Sequence, residues 1–383
     1  MQMNFTFDTV PSIIFETGAA ARLGAIVAPH MKRPCVVTDK GVIAAGLLGG
    51  ALASLKASGL DYFLFDAVEA DPPAKVVKAA IDAARANKCD GVIGFGGGSS
   101  LDTAKVIAVL MNSSQVLEDI YGMDKVVGKS APLILLPTTA GTGSEVTNIA
   151  VITSEDEQKM GIVARPLYAD IAVLDAALTL TAPRHVTAAT GIDAMVHAIE
   201  AYTTKLQKNP VSDALAARAL GLLSSNIVRA CTTPDDIEAR ENMLLGAMLA
   251  GQAFNNAPCA AVHAMAYPLG VHFHVPHGLA NALMLAPVLK FNMPEAAPLY
   301  AELGDVIGAN DTGDYKTRAG AFVAKMQEIC AATGVKNRLS DVGVSHNILP
   351  QLAEDVMKIE RLLKNNPRAM TYDDALRLYT EVL

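Results

Sequence analysis

One stretch of sequence decides the fold: Gly91-Val-Ile-Gly-Phe-Gly-Gly-Gly-Ser-Ser-Leu-Asp102. Its first five residues form a short apolar run typical of a buried strand, and the alanine-rich segment from Leu101 to Met111 is typical of a helix. Backbone amides in a loop that opens a helix attract anions, because the exposed N–H groups and the helix dipole both favour negative charge. The stretch therefore predicts one strand–loop–helix unit with a candidate phosphate-binding loop.

The glycine loop, defined here as Gly94–Ser99, carries only part of the dinucleotide-binding fingerprint. Its pattern is Gly-x-Gly-x-x-Ser rather than Gly-x-Gly-x-x-Gly. A tight turn that needs positive φ is the alternative explanation for the glycines. The three consecutive glycines and the serine at the helix start favour phosphate, and Asp102 is expected to cap the first helical turn.

Strands and helices alternate on both sides of this stretch, which predicts a parallel sheet covered by helices. The expected strands are 34–38, 62–65, 91–95, 132–136, 149–153 and 171–174. The expected helices between them are 47–58, 74–87 and 101–111.

The strand signal ends near Pro183, and long helical segments continue to the C-terminus. A chain of 383 residues exceeds one ordinary hydrophobic core. We therefore expect an α/β, Rossmann-like dinucleotide-binding domain over 1–183 and an all-α domain over 184–383.

Composition excludes several classes of protein. The net charge of −8 offers no electrostatic surface for nucleic acid. The five cysteines are scattered and odd in number, which argues against a disulfide framework and for a reducing compartment. The N-terminal sequence has neither a basic segment nor an apolar core, and no apolar run is long enough for a membrane span. A cytoplasmic location without membrane association is expected.

A candidate metal site begins with Gly191-Ile-Asp-Ala-Met-Val-His197. Asp193 and His197 are four residues apart in a helical run, so both side chains leave one face of the helix. His263, in an apolar segment, and His277, after a proline at an expected loop or helix start, complete a set of one carboxylate and three imidazoles. A solvated surface pair is the alternative for Asp193 and His197, but their apolar flanks favour burial, and buried polar groups need partners.

The remaining nearby polar residues are assigned other roles. Alternation in 271–275 predicts a surface loop or short strand for His272 and His274. Cys259 is expected to be a core thiol rather than a ligand.

A second loop, Thr138–Glu145, follows another strand and is rich in hydroxyl groups; it is called the Thr loop below. The carboxyl ends of parallel strands line the ligand crevice of open α/β sheets. Asp39 also follows a strand, where a carboxylate would hydrogen-bond a ribose 2′-hydroxyl and repel a 2′-phosphate. A turn aspartate before Gly41 is the alternative.

These motifs resemble those of the iron-containing, or group III, alcohol dehydrogenase family, whose fold is shared with glycerol dehydrogenases and dehydroquinate synthase. The resemblance runs from Ile14-Phe-Glu-Thr-Gly18 to Asn366-Pro-Arg368. Segments similar to the family's cofactor loops and metal segments are 96–105, 138–145, 191–200, 263–270 and 276–281.

The resemblance implies a site and a reaction. The implied metal ligands are Asp193, His197, His263 and His277, which act in catalysis through the metal. The implied cofactor contacts are Asp39, Gly96, Gly97, Gly98, Ser99, Thr138, Thr139, Thr142 and Lys159. The implied reaction is reversible hydride transfer between NAD(H) and a small primary alcohol or aldehyde, in a homodimer. Fe²⁺ is the implied metal, Zn²⁺ is the alternative because this donor set holds it more tightly, and NADP⁺ stays open.

One position departs from the family's pattern. Many members carry histidine where this chain has Tyr267, one helical turn after His263. A phenol has a reference pKa near 10, so Tyr267 is expected to line the pocket rather than act as a base.

Three alternatives remain. A polyol dehydrogenase of the same fold would use the same loops. A dehydroquinate-synthase-like lyase would need a basic cluster, but 191–204 contains no Lys or Arg. A non-catalytic protein that binds a metal and a nucleotide is the third.

Overall fold

The computed structural model describes residues 4–309 and 311–383. These residues form two compact units. One is an α/β unit, Thr9–Ala182, and the other is a helical unit that comprises Pro183–Leu383 together with the described residues up to Asp8. The family's expected fold class, a parallel-sheet α/β part followed by an all-α part, is confirmed.

The α/β unit is built on a six-stranded sheet in which every pairing is parallel. The spatial order of its strands is β1-β9-β6-β4-β2-β3. These strands are β1 Ser12–Phe15, β2 Pro34–Asp39, β3 Phe63–Val68, β4 Gly91–Gly96, β6 Leu133–Pro137 and β9 Ile171–Leu174. The central strands β4 and β6 are buried along their whole length, as expected for a sheet covered on both faces.

Helices follow the strands as the sequence predicts. The α/β unit contains α1 Leu23–Val27, α2 Lys40–Ala44, α3 Leu48–Ala57, α4 Ala74–Ala86 and α5 Gly98–Leu110. Helix α5 begins three residues earlier than expected, directly at the glycine loop. Ten of its residues are buried, so this helix lies inside the unit and carries the glycine loop on its N-terminus.

One predicted strand belongs elsewhere. The segment 149–153 forms strand β7, Ile149–Thr153, but β7 is outside the parallel sheet. It pairs antiparallel with β8, Lys159–Val163, and the short β5, Gly122–Met123, completes this second sheet. The sequence of β8 mixes polar and apolar residues without clear alternation, so its pairing with β7 was missed.

The helical unit consists of α6 Arg184–Thr203, α7 Pro210–Thr232, α8 Ile237–Asn256, α9 Ala261–Phe273, α10 His277–Val306, α11 Tyr315–Thr333, α12 Leu349–Met357, α13 Glu360–Leu363 and α14 Tyr372–Glu381. Thr371 and Asp374 form a capping box at the start of α14. Among the described residues, no helix combines the length and apolar character needed to cross a membrane.

The prediction of a loop or strand at 271–275 was wrong in part. Helix α9 continues through His272, which is bonded to Asp355 at 2.7 Å. His274 ends the helix with a φ of 51°. The alternating histidines of this segment therefore belong to the C-terminal turn of a helix, where His272 and His274 are exposed.

Candidate metal centre

The metal-ligand candidates of the helical unit come from three helices. Asp193 and His197 lie on successive turns of α6, one helical repeat apart, and both are buried. Alanine and aliphatic residues on either side let neighbouring helices pack closely around this part of α6. The pair is therefore not the solvated surface pair that was its alternative.

His263 and His277 complete the cluster. His263 lies in the first turn of α9, and His277 is the first residue of α10. The Nε2 atoms of His277 and His263 lie 3.6 Å and 3.9 Å from Asp193 Oδ1. One potential ligand atom from each of the four residues lies within 4.8 Å of the others. Two ligands about 2.0–2.2 Å from one ion are at most about 4.4 Å apart, so these two Asp193–His distances fit a shared ion.

Glu200, which the sequence argument did not single out, sets the orientation of His263. Its Oε2 lies 2.7 Å from His263 Nδ1 and accepts a hydrogen bond from the Ala260 amide at 2.9 Å, while Oε1 accepts one from Val262 at 2.6 Å. A carboxylate in this place keeps the proton on Nδ1 and leaves the Nε2 lone pair for a ligand. Glu200 could have been identified from the sequence, because residues 193, 197 and 200 are spaced to lie on one face of a helix.

Asn281 performs a similar function for Asp193. One turn after His277, its Nδ2 donates to Asp193 Oδ1 at 2.6 Å and lies 3.2 Å from His277 Nε2. Gly278 permits this arrangement, because a Cβ at that position would lie 2.3 Å from the carbonyl oxygen of Ala189 on α6. Only glycine allows the start of α10 to approach α6 so closely.

The electrostatics of the cluster match a cation site. Burial would raise the pKa of Asp193, but His197, His277, His263 and the hydrogen bond from Asn281 together hold it below its usual range. His263 Nε2 is buried and has no hydrogen-bond partner among the described residues. A buried nitrogen without a hydrogen bond is costly, and a divalent metal would satisfy it. The donor set, one carboxylate and three imidazoles, also suits iron or zinc.

Two aromatic side chains border the cluster. Phe254 stacks on His197, with ring centroids 4.2 Å apart. The ring centroids of Tyr267 and His277 are 5.9 Å apart. Burial raises the pKa of Tyr267 against the opposing effects of His263 and Arg361. Its phenol therefore stays protonated near neutral pH.

In the α/β unit, the glycine loop and the Thr loop are in direct contact. They leave the neighbouring strands β4 and β6, and the amide of Thr138 donates to Gly96 O at 2.9 Å. A Cβ on Gly98 would lie 2.8 Å from the methyl group of Thr142. The close approach of the two loops therefore favours glycine at position 98, whether or not a ligand is bound there.

The other predicted cofactor residues have defined neighbours. Gly97 and Thr139 face each other across the two loops. Asp39 caps α2 by accepting from the Val42 amide at 3.0 Å, and its Oδ2 accepts from Ser100 at 3.1 Å. Asp39 therefore does have the role of a turn residue that was its alternative. Its Oδ2 atom, however, lies beside the glycine loop.

The expectation for Asp102 was wrong, and the predicted cofactor contact Lys159 has a partner within the protein. Asp102 does not cap α5; it accepts hydrogen bonds from Ser144 and Val151, residues distant in sequence. Lys159, at the start of β8, forms an ion pair with Asp71 in the segment after β3. Neither partner could be read from local sequence.

Glu145, at the end of the Thr loop, gives a pH prediction. Burial raises its pKa from 4.5 to about 7, so the folded state carries the neutral acid where the unfolded chain is ionised. This difference lowers stability progressively as pH rises from about 4.5 to about 7. Glu145→Gln is therefore expected to raise the unfolding temperature at pH 8, by an amount equivalent to at most about 3 kcal/mol, and to have little effect at pH 4.5. Equal shifts of the variant at both pH values would contradict this assignment.

Both parts of the chain match known protein families. Residues 11–176 match the family described as iron-containing alcohol dehydrogenase, and residues 187–383 match the C-terminal part of the Fe-containing alcohol dehydrogenase family. The probable alcohol dehydrogenase EutG of Escherichia coli (strain K12) is 35% identical over 376 residues, which cover 98% of this chain and 93% of that protein.

Solved structures agree over the same length. A 1,3-propanediol oxidoreductase superposes with a TM-score of 0.96 at 31% identity, covering 99% of this chain and 100% of the other. A sulfoacetaldehyde reductase from Bifidobacterium kashiwanohense, solved in complex with NAD⁺, gives 0.90 at 28% identity, covering 99% of both chains. With both of its parts matched and this likeness spanning its length, the chain belongs to the iron-containing alcohol dehydrogenase family and is an oxidoreductase that interconverts alcohols and aldehydes.

Proposed function

We propose that this protein transfers a hydride reversibly between NAD(H) and a small primary alcohol or aldehyde, and that a divalent metal held in the helical unit would supply Lewis-acid catalysis. The observation that carries the proposal is the cluster of buried Asp193, His197 and His263 with partly buried His277, whose ligand atoms lie within 4.8 Å of one another. A non-catalytic binding protein is disfavoured by the family assignment. The polyol alternative differs only in substrate, so the experiment below includes diols and glycerol.

The residues of the helical unit would each have one role. A divalent metal bound by the four ligands would supply Lewis-acid polarisation of the substrate oxygen. Asp193 would provide the one negative charge among the ligands, and Asn281 would fix the direction of its carboxylate. Glu200 would keep His263 in the tautomer that offers Nε2, and Phe254 would shield His197 from water.

Tyr267 is proposed to contact the substrate as a neutral hydrogen-bonding group. Because its pKa lies above its usual value, the phenol would not act as a base near neutral pH. The proton of the alcohol would then leave to a group other than this side chain. A Tyr267→Phe variant separates these roles, because loss of a hydrogen bond changes KM while loss of a base changes the pH profile of kcat.

We propose Fe²⁺ as the metal in the cell, as the family name implies. Three imidazoles and one carboxylate bind zinc more tightly than ferrous iron when both metals are equally available. Metal analysis of protein purified under anaerobic conditions, with and without added iron, distinguishes the two ions.

NAD(H) is proposed to be preferred over NADP(H) because of Asp39. Its Oδ2 lies beside the glycine loop through the bond to Ser100, where a carboxylate would repel the 2′-phosphate of NADP(H) and accept a hydrogen bond from a free ribose hydroxyl. Asp39→Gly is expected to shift the ratio of kcat/KM for NADH and NADPH toward NADPH by at least about tenfold, equivalent to about 1.4 kcal/mol. Asp66→Asn, which removes a charge on the neighbouring strand β3, is the control. An unchanged ratio in Asp39→Gly would refute the assignment.

The function is tested by a screen of C2 to C6 aldehydes, lactaldehyde, diols and glycerol. Reactions contain NADH or NADPH for reduction, or the oxidised cofactors for alcohols, with Fe²⁺ or Zn²⁺, and absorbance is followed at 340 nm. We expect reduction of at least one short aldehyde with NADH, and reduction about a thousandfold slower with His263→Ala. Flat absorbance with every substrate and both metals would exclude the proposal. A preference for glycerol over simple primary alcohols would favour the polyol alternative.

The assembly and location are also proposals. We infer a homodimer and a cytoplasmic location from the family assignment. Light scattering of the purified protein tests the first, and fractionation of the native cell tests the second.

A further inference from the structure

Helix α5 carries two charged residues that the proposed hydride transfer does not use. Lys105 is fully buried, and its Nζ lies 3.9 Å from Asp102 Oδ1, one turn earlier on the same helix. Burial lowers the pKa of Lys105 to about 8, although Asp102 and Glu145 act in the opposite direction. A buried ion pair adds little net stability compared with apolar residues, so stability alone gives a poor account of this pair.

Asp102 is bonded to the far end of the Thr loop and to the strand that follows. Its Oδ1 accepts a hydrogen bond from the Ser144 hydroxyl at 2.6 Å, and its Oδ2 accepts one from the Val151 amide on β7 at 2.9 Å. Both carboxylate oxygens are therefore occupied by groups that lie more than forty residues away in sequence. Such bonds to an ionised acceptor are about twice as strong as neutral ones.

Lys105 reinforces the same connection. Its Nζ donates to the hydroxyl of Thr147 at 3.1 Å and to the carbonyl of Ile149 at 2.7 Å. The Thr147 hydroxyl in turn donates to the carbonyl of Ser144 at 3.3 Å. The two charged side chains thus bind the segment from Ser144 to Val151 onto the helix that begins at the glycine loop.

At its other end, the Thr loop touches the glycine loop through Thr138 and Thr142. We propose that Asp102 and Lys105 are positioning residues that hold the Thr loop in register with the glycine loop, so that affinity for NAD(H) depends on them although they act through the loops. The inference rests on the assignment of both loops to NAD(H) under the proposed function. It separates the binding of cofactor, which these residues control, from the binding of metal, which they do not.

The test measures NADH affinity by quenching of NADH fluorescence, together with KM, kcat and metal content, for three variants. Lys105→Met keeps the length of the side chain and removes its charge and donors. We expect the Kd and KM for NADH to rise about tenfold, the size of one lost hydrogen bond to a charged group. At saturating NADH, kcat is expected to stay within about threefold of wild type, and the metal content to stay unchanged, because a loss of cofactor binding that is equal in the ground state and the transition state leaves the chemical step intact.

Ser144→Ala removes one hydroxyl with little change in packing and is expected to give a smaller rise in the same two constants. It decides the question if Lys105→Met does not fold. Thr103→Val is the matched control, because Thr103 is buried beside Asp102 on α5 and its hydroxyl has no hydrogen-bond partner among the described residues. The control is expected to bind NADH like wild type.

Two negative results are distinguishable. If wild-type protein does not bind NADH, the proposed function fails. If wild type binds NADH and Lys105→Met and Ser144→Ala bind it equally well, even with a lower unfolding temperature, the role of the pair is purely structural and the inference is overturned.

Discussion

His263→Ala is expected to lose both the metal and the activity. The substitution removes one of three imidazoles and leaves Glu200 without its imidazole partner. If the metal supplies about 4 kcal/mol of transition-state stabilisation as a Lewis acid, kcat/KM falls about a thousandfold, since each factor of ten corresponds to about 1.4 kcal/mol. Metal analysis of the purified variant is expected to show well under one equivalent per chain.

His272→Ala provides the matched control. His272 is exposed on the same helix, and its partner is Asp355 rather than the metal cluster. It is expected to keep the metal content and the activity of wild type. Retention of full metal content and activity by His263→Ala would remove this histidine from the site, whereas equal losses in both histidine variants would point to damage to helix α9.

Glu200→Gln is expected to weaken metal binding by about 10- to 100-fold, the usual cost of losing a residue that orients a ligating histidine. The amide keeps the size of the side chain, but its NH₂ group replaces an oxygen that accepts from the backbone of Ala260 or Val262. An amide donor facing His263 Nδ1 would also favour the tautomer that places the proton on Nε2, where the metal binds. The Kd is measured by competition with a chelator of known affinity.

Glu302→Gln controls for the loss of a carboxylate elsewhere in the helical unit. Glu302 is an exposed residue that accepts a hydrogen bond from Tyr202 at 2.6 Å, outside the metal cluster. It is expected to leave metal affinity unchanged. If Glu200→Gln bound metal as tightly as wild type, the tautomer of His263 would not depend on Glu200, and this part of the account would be wrong.

The local signals in the sequence predicted the parts of the fold that depend on periodicity. The apolar run 91–95 and the alanine-rich segment 101–111 correspond to β4 and α5, because the short run ends at glycines and the longer segment has the length of a helix. The spacing of Asp193 and His197 likewise placed both on one face of α6. His263 and His277 were added to the set as candidate ligands from their residue type and position, and the family resemblance supported them. Nothing in the local sequence shows that α9 and α10 meet α6.

What the sequence argument missed depends on contacts between distant segments. Glu200 and Asn281 lie one turn from a proposed ligand, so their positions were visible, but their roles follow only from the partners that the fold provides. Asp102 was expected to cap its own helix, whereas the fold offers it Ser144 and Val151 instead. Tertiary partners compete with local ones, and they prevail where a helix is buried.

The central claim is that Asp193, His197, His263 and His277 hold one divalent metal that hydride transfer requires. The most direct measurement is a titration of chelator-stripped protein with Fe²⁺ under anaerobic conditions, following both bound metal and the rate of NADH oxidation with an active aldehyde. The account predicts that the stripped protein is inactive and that the rate rises in proportion to bound metal until one equivalent per chain is reached. The account would be contradicted if protein that holds less than about a tenth of an equivalent of any divalent metal had full activity.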